Sequence, residues 1–122
     1  MNWIALGALM AALAVVCGAF GAHALAARLD AHALGLWETA ARYLMYGGLG
    51  LALLGLFARL IAPHSARPLG AAGWCLLVGS LIFSGTVFAL ALGSPRWFGA
   101  ITPIGGTLLI VGFLLFAWSA IR

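Results

Sequence analysis

Four apolar runs, each long enough to cross a bilayer, leave this 122-residue chain little choice of fold. About 20 apolar residues in a helix span a hydrocarbon core of ~30 Å. Inside that core every backbone N–H and C=O has to be satisfied within the protein, which selects helices over open strands. The chain therefore reads as an all-α integral membrane protein, with four transmembrane helices in an antiparallel bundle. The expected spans are residues 3–24, 40–61, 69–92 and 103–121 of a single domain covering 1–122. Only 7% of residues are charged and 66% are hydrophobic, against roughly 25% charged in soluble domains. Lipid is the solvent for most of this surface.

The formal charge of +4 comes from six arginines scattered singly, without a lysine. Nucleic-acid binding calls for a clustered basic face, so it is excluded from the reading. Cys17 and Cys75 lie inside apolar runs without a metal-ligand spacing and read as small buried hydrophobes. Ala22-His23-Ala24 resembles a signal-peptide cleavage site. No Lys or Arg precedes the first run, however, and its length suits a full span, so it is expected to be retained.

The first span repeats small residues every four positions at Ala14, Gly18 and Ala22. In lipid, close backbone approach has to supply the association that the hydrophobic effect supplies in water. The first helix is thus expected to be a packing helix, through a face used within the chain or as a seam between copies. Asp30 is placed to cap the second helix. No proline interrupts residues 31–61, and a helix of that length, ~46 Å at 1.5 Å per residue, projects beyond the membrane at its N-terminal end. Trp37, Glu38 and Arg42 are then expected at the boundary, Tyr43 and Tyr46 just below it, and a Glu38–Arg42 salt bridge at the favourable i, i+4 spacing. Gly47, Gly48, Gly50 and Gly55 permit another helix to come close.

Arg59, Pro63, His64, Arg67 and Pro68 mark a polar second loop. In the third span Ser80 and Ser84 share a face and Thr86 takes another; hydroxyls there either glue helices or line a pore. Gly93 to Trp97 form the third loop. Thr102-Pro103 reads as a cap with proline at the first helical position of the fourth span, an end that can receive an anion, a headgroup or a neighbouring helix.

Alternation of direction places the chain start, the second loop and the C-terminus on one side, and the first and third loops on the other. Trp3, Trp74 and Trp118 fall toward the first side, Trp37 and Trp97 toward the second, as two interfacial belts. Polar groups concentrate in the second half: Asp30 together with a candidate cluster, structural or ligand-binding, of His23, Glu38, Arg42, Tyr46, Ser84, Thr86, Thr102 and Thr107. The arginines divide equally; with Arg42 paired to Glu38, the positive-inside rule leans toward cytoplasmic termini.

GAFGAHAL at 18–25, WETAARYLMY at 37–46, FSG at 83–85 and ITPIGGT at 101–107 together resemble the domain-of-unknown-function family numbered 423. These are small bacterial inner-membrane proteins with a eukaryotic relative, transmembrane protein 256. The resemblance spans nearly the whole chain and implies a four-helix membrane protein, with no activity, substrate or cofactor to carry over. Gly47 and Phe88 depart from that family's pattern, where a histidine and a tyrosine are usual.

Three function classes follow. The preferred one is a non-enzymatic protein of the cell inner membrane that works through helix packing, as a homo-oligomer or as an accessory subunit beside another membrane protein. The alternative is a small-ion or small-solute channel or transporter, with a polar half-channel near the first and third loops. An enzyme ranks last: His23 and Glu38 suggest an acid/base pair, but no nucleophile, metal cluster or cofactor motif accompanies them. No catalytic, metal or cofactor-binding residue is assigned, and the expected partners are membrane lipid and protein.

Overall fold

The structure is a computed structural model and describes residues 2–61 and 69–121. The described residues form four long helices and no strand: α1 (Trp3–Phe20), α2 (Ala31–Ile61), α3 (Leu69–Ala91) and α4 (Phe98–Ile121). A π-helical turn (Gly21–Leu25) continues α1. All four helices are long and apolar enough to cross a membrane. The expected second-loop residues Pro63, His64, Arg67 and Pro68 lie outside the described residues.

The helix ends follow local chemistry. The Asn2 side chain accepts a hydrogen bond from the Ala5 N–H at 3.1 Å and caps α1. Asp30 Oδ1 accepts from Ala33 N–H at 2.8 Å, so the carboxylate occupies the positive end of α2. Behind α3, Gly93 takes φ +94°. Its N–H reaches Leu90 O and the Ser94 N–H reaches Ala89 O, the paired bonds of a Schellman stop that glycine closes at the least steric cost. The fourth helix starts at Phe98 rather than at Pro103 as expected, and Pro103 lies inside it. A proline in the second turn costs little, because the carbonyl it cannot serve, on Gly99, belongs to the exposed first turn.

Helices α2 and α3 form the centre. Helix α1 packs on α2 and reaches α3 through Trp3, whose ring lies 5.5 Å from that of Trp74, and α4 packs on α3 and touches α2. Leu44, Leu51 and Leu54 of α2 and Ala72 and Leu76 of α3 are buried between them, joined by Met10 and Ala14 of α1 and Leu109 of α4. Two glycine seams set the helix spacing. A methyl at Gly48 would meet Gly7 O at 2.8 Å, and one at Gly79 would meet Leu109 N at 2.7 Å and Gly105 O at 2.9 Å. Backbone therefore lies on backbone, as small-residue packing in lipid requires.

Two expectations need correction here. Helix α1 turns most of its surface, including Gly18 and Ala22, away from the bundle: it buries only a narrow stripe at Gly7, Met10 and Ala14. Ala14 turns inward, but a methyl at Gly18 would meet nothing within 4 Å and Ala22 is exposed. The outward face instead carries Ala8, Ala12, Val15, Ala19 and Ala22, a four-and-three spacing that keeps them in one row. Trp37 is not an interfacial anchor either, being 8% exposed. Its indole N–H donates to Cys17 O at 2.7 Å, and its ring lies 4.5 Å from that of Phe88. A methyl at Gly21 would sit 2.5 Å from the indole. Gly21, at the start of the wide turn, is what lets the ring in.

Candidate functional site

The connections α1–α2 and α3–α4 meet at one end of the bundle around a recess of about 710 Å³. The first connection contributes Arg28 and Asp30, held by the return of Arg28 and Leu29 N–H groups to Leu25 O at 2.9 and 2.8 Å. The first turn of α2 adds His32. From the second connection come Ser94, placed by the Gly93 stop, and Arg96; Leu36 and Leu90 supply apolar wall. Neither guanidinium has a hydrogen bond or ion pair within the described residues, and both are exposed. The Asp30 carboxylate is already engaged with the α2 terminus. Ser94 Oγ is buried without a hydrogen-bond partner. The recess is thus net cationic.

The residues expected from the sequence to cluster are only partly brought together. Thr86 and Thr102 meet, Oγ1 to Oγ1 at 2.7 Å. One hydroxyl supplies the proton of that bond and the other donates to its own helix, where Thr86 Oγ1 lies 2.8 Å from Ile82 O and Thr102 Oγ1 lies 3.2 Å from Phe98 O. Thr107 bonds Pro103 O at 2.8 Å and faces outward. Ser84 is buried and, like Ser80, has no hydrogen-bond partner. His23 is exposed in the π-helical turn. Glu38 and Arg42 share a helical face and are both exposed, but no ion pair joins them. Water or headgroups solvate two such side chains well enough to offset the small gain of an exposed pair. Tyr46 stacks edge-on with Tyr43 at 5.2 Å on a more deeply placed groove.

That groove, of about 510 Å³, is walled by Tyr43, Tyr46, Phe83 and Phe113 and floored by Gly106. Tyr43 and Phe83 rings lie 4.8 Å apart. At Gly47, one of the departures from the family pattern, a side chain would run into Ser80; Phe88, the other, fills the space beside Trp37. Among the described residues no cluster of His, Cys, Asp or Glu has the makings of a metal site.

Sequence reasoning missed Arg28, His32, Ser94 and Arg96 as a group. Arg28 and His32 lie at the first connection and the start of α2, more than sixty residues before Ser94 and Arg96, and what signalled them was the side assignment: both connections were expected on the same face of the membrane.

Comparison with known proteins agrees with the architecture. Residues 17–106 match the family described as "Protein of unknown function (DUF423)". A UPF0382 membrane protein of Staphylococcus epidermidis is 44% identical over 98% of this chain and 95% of its own. Another from Staphylococcus saprophyticus is 48% identical over 93% of this chain and 91% of its own, and one from Staphylococcus haemolyticus is 42% identical over 98% and 95%. No solved structure matches. With four membrane-length helices and relatives alike over nearly their whole length, the chain belongs to the DUF423 family of membrane proteins, whose function is unknown.

Proposed function

We propose that this is a non-catalytic protein of the cell inner membrane that works by helix-to-helix assembly, α1 being the docking helix and a second copy its first partner. The observation that carries this is a row of small residues on the outward surface of α1. Helix α4 turns Ile104, Ile110, Leu114 and Trp118 outward, bulky side chains suited to lipid. Helix α1 exposes a bulky row too, of Leu9, Leu13, Val16 and Phe20, but beside it runs a small one of Ala8, Ala12, Val15, Ala19 and Ala22, which lets another helix approach closely. With the termini in the cytoplasm, the recess opens on the opposite side of the membrane.

The solute-pathway reading draws on the unspent hydroxyls of Ser80 and Ser84. It stands second because Gly79 and Gly105 bring α3 and α4 into backbone contact and Thr86 and Thr102 are spent on each other.

Single-molecule photobleaching of the labelled protein in liposomes, at low protein-to-lipid ratio, tests the proposal. The wild type should bleach in two steps and Ala12→Leu/Ala19→Leu in one. A wild type that bleaches in one step, together with native mass spectrometry showing no companion protein, would refute it.

A further inference from the structure

We infer that the cationic recess and the apolar groove are one binding site for an anionic glycerophospholipid, a site separate from the α1 row and independent of what that row does. Three helices agree on the alignment. Leu36 lines the recess and Tyr43 the groove on α2; Leu90 and Phe83 do the same on α3, and Gly99 and Gly106 on α4. Each pair is one heptad apart, which returns a helix to nearly the same face after a rise of ~10 Å. Because α3 runs opposite to α2 and α4, its falling numbers descend the membrane as theirs rise. The groove therefore lies directly beneath the recess.

The chemistry along this track changes as a phospholipid's does. At the loop end stand Arg28, Arg96 and His32. The one carboxylate there, on Asp30, is occupied by the α2 N-terminus. Arginines without a carboxylate partner are suited to the paired acceptor oxygens of a phosphate. Lower down the lining is Tyr43 and Phe83, at ~10 Å, then Phe113 and Leu114, at ~20 Å. The polar layer of a leaflet is only ~5–7 Å deep, half the difference between ~40–45 and ~30 Å, so this lower part is in hydrocarbon. A free phosphate would leave the groove unused, and an apolar peptide would leave the arginines unpaired. A lipid with an anionic headgroup satisfies both.

Native mass spectrometry of the full chain, stripped of lipid in mild detergent and then offered phosphatidylglycerol or phosphatidylcholine with the same acyl chains, tests this. The wild type should retain phosphatidylglycerol preferentially. Two surface cations at ~1 kcal/mol each set the loss in R28Q/R96Q at about 30-fold, and in either single variant at about 5-fold. R59Q, at the other end of α2, should bind as the wild type does. Gly106→Leu, which fills the groove without touching the arginines, should weaken both lipids while keeping the preference, and inorganic phosphate at equal concentration should displace neither. Equal retention of the two lipids by the wild type, full retention by R28Q/R96Q, or displacement by inorganic phosphate would overturn the assignment.

Discussion

Alanine at Gly105 and alanine at Gly106 should act in opposite directions although the two positions are neighbours. At Gly105 the added methyl would run into the backbone N of Phe83 and lie 2.9 Å from both Gly79 O and Phe83 Cα. These are main-chain atoms of α3, which give way only if the two helices separate. Overpacking of this kind costs ~1–3 kcal/mol, and an obstacle made of backbone puts the value near the top of that range. Removing glycine from a helix returns up to ~1 kcal/mol. The net effect at Gly105 is then ~2 kcal/mol of destabilisation, by difference of those two terms. At Gly106 the nearest atoms are on the Phe83 ring at 3.6 and 3.8 Å, an ordinary contact, so only the propensity gain of up to ~1 kcal/mol remains. The separation of ~3 kcal/mol corresponds to more than 100-fold in the unfolding equilibrium. Unfolding of both variants in detergent micelles, followed by far-ultraviolet circular dichroism against added sodium dodecyl sulfate, measures it. Equal midpoints for the two variants would refute the claim that α3 and α4 touch backbone to backbone at this point.

Two further expectations concern the α1–α2 end. Trp37→Phe keeps the ring beside Phe88 but removes the N–H that serves Cys17 O; it should lower stability by ~0.6–1.7 kcal/mol, read as a lower thermal midpoint, and an unchanged midpoint would show that the bond carries no weight. Glu38→Ala should move stability by no more than ~0.5 kcal/mol, since both it and Arg42 are exposed and unpaired. A larger loss in the same thermal scan would mean that the two charges pair in the membrane.

The helices were legible in the sequence because their signal is local: a long apolar run has few other fates in lipid, and Asp30 is adjacent to the N–H groups it caps. Contacts between helices were legible only as potential. The small residues of α1 announced a packing face, but Ala14 is used within the chain while Ala12 and Ala19 face out, and nothing local separates one from the other. Trp37 misled for a related reason. A tryptophan near the end of a span is usually an interfacial anchor, and here its hydrogen-bond acceptor lies twenty residues away in another helix. Arg28 and Arg96 looked like isolated loop charges until the two connections were placed side by side.

The arrangement in which each helix rests chiefly on the one before it bears on how the molecule is made. Every major interface joins consecutive helices, so nothing has to wait for the last helix to close a ring. Low sequence separation between contacting residues is the condition for rapid assembly. The first hairpin can reach its final packing while the remainder is still on the ribosome, α3 can dock as it arrives, and α4 completes a structure whose other seams are already in place. A nascent chain of this topology exposes unfinished surface at only one growing edge.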